Sequence, residues 1–395
     1  MEKRVQYENI TTDSQLREFC KKLSDSKLIG FDTEFVSEDS YRPHLCLIQV
    51  ACAHGLAVID TIALPEVGAF WEAITQPGHR TIVHAGREEF RFCWQATGKR
   101  PNDLFDTQIA AGMIGMEYPA AYGSLMSKLV GKTIPKGETR TNWRNRPLSE
   151  RQIDYALKDV VYLEDLYQTL TSKIEALGRA TWVQDEFQAW QDLVEEAESS
   201  ERWHRLGGLS NMSRRSLAVA RSLWQWRERT AQSRNSPPRR VLRDDLLVEL
   251  AKRKTADPKR IRALRGMDHR GVQKSLPEIA ACIQEALAIS DDDCPASIRS
   301  GKSNQQANLL SQFLTVALSS ICRDAKIAPS IVGTVQDMRD LVAYHLKPDS
   351  AAPPKLASGW RAEIVGNVIE QLMHGQLAMH VTSPQAEQPL GISPR

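Results

Sequence analysis

Two acidic residues, Asp32 and Glu34, stand two positions apart in Leu28-Ile29-Gly30-Phe31-Asp32-Thr33-Glu34-Phe35-Val36, whose apolar and β-branched residues read as a strand. Side chains alternate along a strand, so Phe31, Thr33 and Phe35 share one face and both carboxylates share the other. Like charges that close hold protons against each other's charge unless a cation lies between them, and a hard divalent cation with oxygen ligands is the common solution. The other reading is an edge strand with a solvated acidic face. A second pair, Tyr155 and Asp159, is spaced four apart, which puts both on one face of a helix. Such a pair is either a hydroxyl bonded to a surface carboxylate or a tyrosine held over an acidic site. Glu88 and Glu89 fall in the first turn of a further helix, whose Phe90, Cys93 and Trp94 have helical spacing.

The elements that must position these residues are a sheet and its covering helices. A short helix near Asp13 to Leu23 precedes the acidic strand. Apolar runs at His44 to Ala51 and Gly55 to Asp60 follow it closely enough for antiparallel hairpins. A helix around Leu64 to Thr75, a strand at Thr81 to His84 and a short strand at Phe105-Asp106-Thr107 then make a mixed α/β sheet. Leu148-Ser149 with Gln152 and Ile153 forms a capping box and a hydrophobic staple, so the helix bearing Tyr155 and Asp159 starts there and runs to about Leu177. The loop before it, Lys136 to Pro147, is basic with one aromatic. Arg140 and Trp143 are candidates to track a phosphate and stack a base, or Trp143 plugs the surface. These elements and a charged helix up to the connector define a domain over residues 1–205.

Beyond it, every apolar run from Met212 to Ala288 has helical spacing, with a break at Asn235-Ser236-Pro237-Pro238-Arg239. This is a helical bundle over residues 210–290, large enough to fold independently. After a linker that includes Asp291-Asp292-Asp293 and Ser300-Gly301-Lys302-Ser303-Asn304, residues 303–381 are again helical and look like a diverged second copy. The Pro- and polar-rich segment 382–395 is expected to be a flexible tail.

Composition narrows the function. With 42% hydrophobic and 25% charged residues the 395-residue chain is of the globular class. No apolar run approaches a membrane span and the start lacks a signal peptide's apolar segment, so the expected location is the cytoplasm, with no membrane partner. Seven cysteines form no CxxC pair, which argues against a zinc site and a disulfide framework. The net charge of +2 hides an asymmetry. Residues 1–200 carry 22 Lys and Arg against 30 Asp and Glu, a net of −8; residues 201–275 carry 20 against 7, a net of +13; the remainder carries 9 against 12, a net of −3. An acidic module followed by a basic one suits a protein that handles a polyanion.

Together, Phe31-Asp32-Thr33-Glu34-Phe35, His84-Ala85-Gly86-Arg87-Glu88-Glu89 and Tyr155-Ala156-Leu157-Lys158-Asp159 resemble the three exonuclease motifs of the DEDD superfamily in its tyrosine branch. With helical domains following, the chain resembles the bacterial ribonuclease D family. The resemblance implies an α/β fold with a ribonuclease H-like mixed sheet, followed by two small all-α bundles, the first of HRDC type. It also implies metal-dependent 3′-to-5′ release of nucleoside 5′-monophosphates from RNA such as tRNA precursors. Asp32, Glu34 and Asp159 would hold two divalent cations, Mg2+ or Mn2+, with Glu89 acting through water. Tyr155 would orient or help deprotonate the attacking water, and no small-molecule cofactor is implied. One position departs from the family: Glu89 stands where its middle motif has Asp. That leaves open a nucleic-acid-binding protein that has lost catalysis, and, because the sequence reveals no 2′-hydroxyl contact, a DNA 3′-to-5′ exonuclease with the same metal site is a second alternative. Asp106 lies outside the motif position and reads as structural or supporting.

Overall fold

The structure, a computed structural model, describes residues 6–134, 141–267, 270–298, 305–346 and 352–395. Tyr7–Ile10 (β1) is a strand absent from the sequence-based expectation. Thr12 then starts α1 (Asp13–Ser24) through a capping box with Gln15. β2 (Leu28–Val36), β3 (His44–Cys52) and β4 (Gly55–Asp60) form the expected antiparallel meander. After α2 (Gly68–Thr75), the elements β5 (Arg80–Val83), α3 (Arg87–Thr97), β6 (Leu104–Asp106) and α4 (Thr107–Gly112) add two parallel strands beside β2. The six-stranded order is β1-β4-β3-β2-β5-β6, a mixed sheet.

Alternation along β2 separates two layers. Ile29 and Phe31 are buried on one face against Phe19 of α1, Phe70 and Trp71 of α2 and Phe90 of α3. The opposite face is covered by α5 (Tyr122–Leu125), α6 (Glu150–Lys158) and α7 (Leu163–Ala176), and α8 (Ala180–Ser199) closes the layer. The single helix expected from Leu148 to Leu177 is two helices. Asp159 caps the end of α6, and the break lets Val160 and Leu163 turn onto Ile82 of the sheet. Gly30 makes that approach feasible, because a Cβ there would lie 3.1 Å from Leu163.

The first bundle comprises α9 (Arg214–Ser233), α10 (Pro238–Val241), α11 (Asp244–Arg253), α12 (Pro258–Arg262), α13 (Arg270–Lys274) and α14 (Leu276–Ala288). Its core is its own, built on Leu217, Leu223, Leu247, Leu250, Ile261 and Ile283. The second comprises α15 (Gln305–Asp324), α16 (Pro329–Val332), α17 (Val335–Leu346), α18 (Gly359–Arg361), a π-helical turn over Ala362–Gly366 and α19 (Asn367–Met373). Both begin with a helix of 20 residues and a four-residue turn opened by proline. The core of the second is continuous with that of the nuclease domain, joining Leu314, Leu318 and Val332 to Phe105, Leu166, Leu170 and Phe187.

Two expectations about the C-terminus are corrected. Leu377–Val381 is a strand (β7) rather than helix, and the segment read as a flexible tail contains β8 (Leu390–Pro394), paired antiparallel with β7. Met379 and Ile392, opposite each other in that ladder, pack on the second bundle's core and supply the apolar contact that orders the hairpin. The linker residues 300–304 lie outside the described residues. Among the described residues, no helix is long and apolar enough to cross a membrane.

Candidate active site

Strand alternation brings the site together. Gly30, Asp32 and Glu34 share the face covered by α6 and α7, and the ladder with β3 shifts register directly after Glu34. Asp32 pairs across the ladder with Gln49, a buried polar residue in an otherwise apolar strand, whose Nε2 donates to Asp32 Oδ2 at 3.0 Å. Asp159, delivered by the end of α6, completes the group. Asp32, Glu34 and Asp159 each offer an oxygen, and these oxygens all lie within 4.8 Å of one another.

The electrostatics of that convergence are severe. Burial first, then the charges of Asp32, Asp159 and Glu89, push Glu34 up to about 9. Burial and Asp32 push Asp159 up to about 7, against a hydrogen bond from Tyr155 that favours its charged form. Asp32 is also raised well above the ordinary carboxylate range, by burial and then by Glu89. Three half-buried carboxylates acting on one another, with oxygen donors only, are the donor set of a hard divalent cation, so the residues fit the metal that the exonuclease motifs imply.

Glu89 is placed differently. It is buried in the first turn of α3 and accepts a hydrogen bond from Thr33 Oγ1 at 2.5 Å. Its carboxyl is pushed up to about 7 by burial and faces Asp32, yet it stands outside the three-oxygen group. Thr33 and Gln49 are therefore hydrogen-bond partners of these acids that the motif reading missed. Gln49 had a signal, since a lone amide in a buried apolar run needs a partner. Asp106 is structural: its carboxylate accepts from the amides of Ala85 and Gly86 and caps α4 through those of Gln108 and Ile109.

Tyr155 stands beside Asp159 on α6, and its hydroxyl donates to that carboxylate. Burial and the surrounding carboxylates raise its phenol, so it is protonated at neutral pH. Trp143, a candidate for base stacking, is instead 3% exposed, with its ring centroid 6.2 Å from that of Tyr155. It is fixed there by Arg146, which donates to the carbonyls of Trp143 and Cys46 and to both oxygens of Asp60. Trp143 thus backs the tyrosine and is too enclosed to stack on a free base. Arg140 lies outside the described residues. A second tyrosine, Tyr122, has its ring 5.3 Å from His84, and its phenol is raised by burial and by the charges of Asp159 and Asp32. A cavity of about 630 Å³ is lined by Glu34, Phe35, Asp39, Asn142, Trp143 and Arg144.

Residues 7–175 match the family model of the 3′-5′ exonuclease domain, and residues 216–283 match the HRDC domain. The chain is 31% identical to ribonuclease D of Nitrobacter hamburgensis over 376 residues, which cover 94% of this chain and 96% of that one. It is 32% identical to ribonuclease D of Granulibacter bethesdensis over 381 residues, 95% of each. The crystal structure of Escherichia coli RNase D, described as an exoribonuclease involved in structured RNA processing, superposes with a TM-score of 0.80 at 26% identity, covering 93% of this chain and 99% of that one. The acidic strand, the capped tyrosine helix and the whole-length similarity to these enzymes agree, and the chain belongs to the ribonuclease D family of 3′-5′ exoribonucleases.

Proposed function

We propose that the chain is a cytoplasmic enzyme that trims the 3′ ends of structured RNA, with tRNA precursors as the substrate class, using two divalent cations, Mg2+ or Mn2+. The observation that supports this most is the convergence of the Asp32, Glu34 and Asp159 oxygens beside Tyr155, with Glu34 lining a cavity that Asp39, the ion-pair partner of Arg240 in the basic first bundle, lines as well. Asp32, Glu34 and Asp159 would hold the cations, and Glu89, which accepts from Thr33 and faces Asp32, supports Asp32. When bound, the cations lower the pKa of the attacking water and stabilise the leaving 3′ oxygen.

The rest is done by this chain's own groups. Tyr155, hydrogen-bonded to Asp159, places its Oη beside the carboxylates, where it orients or helps deprotonate the attacking water. Trp143 holds the tyrosine ring from behind, and Arg146 holds Trp143. The net charge of +13 over residues 201–275 supplies the grip on the body of the RNA.

The test is a tRNA precursor carrying a 3′ trailer, compared with a DNA strand matching the trailer. Stepwise shortening of the RNA with release of nucleoside 5′-monophosphates is expected. An untouched trailer, or preferential digestion of the DNA, refutes the substrate class. Replacing Glu89 by Asp sharpens the role of the middle motif. Because Glu89 stands outside the oxygen cluster, activity in Mg2+ is expected to change by about tenfold or less; activity appearing from none would mark Glu89 as a lesion.

A further inference from the structure

Asp39 lies in the segment leading from β2 to β3 and lines the same cavity as Glu34 and Arg144. Its carboxylate is shared by arginines from two distant parts of the chain. Arg240 Nη2, from α10 of the first bundle, lies 2.7 Å from Oδ1, and Arg144 Nη1, next to Trp143, lies 3.9 Å from Oδ2. The same segment is anchored to the first bundle by Tyr41. Its amide donates to Asn235 Oδ1 at 3.2 Å and its hydroxyl donates to Glu228 Oε2 at 3.3 Å. One carboxylate between two guanidinium groups therefore stands where the route to Glu34 opens beside the basic bundle.

We propose that Arg144 and Arg240 form a phosphate clamp for the RNA strand, and that Asp39 fills the clamp until a phosphodiester displaces it. The inference rests on the exoribonuclease reading of the adjoining site. A phosphodiester offers a guanidinium two oxygens in the fork geometry that a carboxylate also presents, so Asp39 is a fair stand-in for it. Asp39 and Arg240 are 57% and 59% exposed, and an ion pair so open to water is weak and exchangeable. The cavity is of the size that holds a small ligand, which leaves room for the 3′-terminal part of the strand between Glu34 and the clamp. Glu38 and Asp39 line this passage and repel a polyanion, so the arginines are what makes it passable. Because the two arginines belong to different units, a strand in the clamp also ties the first bundle to the nuclease domain.

The experiment is the affinity of the full chain for a short, fluorescently labelled single-stranded RNA, read by anisotropy in chelator across a salt series so that no hydrolysis intervenes. Arg144→Ala and Arg240→Ala are each expected to weaken binding about tenfold. Each is also expected to make the dependence of log affinity on log salt shallower by about 0.7. Asp39→Asn, which keeps both arginines and frees them, is expected to tighten binding about threefold. Arg240→Lys keeps the charge, and so the salt dependence, but loses part of the affinity. If Asp39→Asn leaves binding unchanged, or weakens it as Arg240→Ala does, the pair is a structural tie and the proposal is wrong. Unaltered salt dependence in both alanine variants overturns it as well. Failure of the wild-type chain to release monophosphates with metal would strike the exoribonuclease reading separately, since the affinity series needs no catalysis.

Discussion

The two helical bundles open in the same way, with a long helix and a proline-initiated turn, yet they meet the nuclease domain differently. The first keeps a core of its own, against which the domain sets the ring of Tyr41, and its other contacts are polar, with Tyr41 on Asn235 and Glu228 and Asp39 on Arg240. The second has merged with it. Arg179, buried just before α8, donates to the carbonyls of Met113, Lys326 and Ala325, while Arg361 pairs with Glu186 and donates to Ile331 and Val332. Trp182 and Trp360 stack at 6.0 Å across the same boundary. Two bundles that open alike thus differ in how they join the nuclease domain: the first is basic and keeps a separate core, and the second shares the domain's core. What separates the roles is where charge and buried arginine fall in the sequence, since the helical period is common to both.

The largest expected effect tests that merger. Arg179→Met removes a charged donor shared by three carbonyls, one buried and two part-buried, and should cost about 3 kcal/mol. In calorimetry the transition containing the nuclease domain should fall, because that domain and the second bundle melt together. Leu223→Ala, in the separate core, should cost about 2–5 kcal/mol but lower only the first bundle's transition. A single transition that falls equally in both variants would erase the distinction between the bundles.

Metal and pH sharpen it next. In the metal-free protein, Asp159 is raised to about 7 and Glu34 to about 9, both above their unfolded values. The folded chain therefore holds these protons more tightly than the unfolded chain. Their contribution is fully favourable below about pH 4 and is lost as pH rises through the folded values. Thermal stability in chelator should decline from about pH 5 to about pH 8, in the larger unit only. A divalent cation should restore it, more strongly at the higher pH. Asp159→Asn should raise the chelated protein's melting temperature at the higher pH by about 2–4 °C, the equivalent of about 1 kcal/mol. The smallest effect belongs to the polar contact: Tyr41→Phe removes one part-buried hydrogen bond and should cost less than about 1 kcal/mol, leaving both transitions in place.

Much of the site was legible because its parts obey local rules. Strand alternation placed Asp32 and Glu34 together, and the Ser149–Gln152 capping box set the register that pairs Tyr155 with Asp159. What was not legible depended on partners distant in the chain. Glu89 accepts from Thr33 and also faces Asp32, and no spacing within its own motif carries either contact. Trp143 sits in an aperiodic loop, where burial is decided by Arg146 reaching Asp60 and Cys46. β1 has a single buried residue, Ile10, so its alternation is too faint to read as a strand. The shared core of the second bundle was hidden for the opposite reason, since an apolar helical stripe does not reveal which neighbour covers it. The β7–β8 ladder was obscured by the prolines and polar residues between its strands.

The central claim is that Asp32, Glu34, Asp159 and Tyr155 form one metal-dependent site acting on the 3′ end of RNA. The most direct measurement follows 3′-labelled RNA with Mg2+, Mn2+ or chelator, using the wild-type chain and Asp32→Asn. The account predicts that the label leaves first, as nucleoside 5′-monophosphate, only with metal and only from the wild-type chain. Release in chelator, release by Asp32→Asn at the wild-type rate, or cleavage within the strand would contradict it.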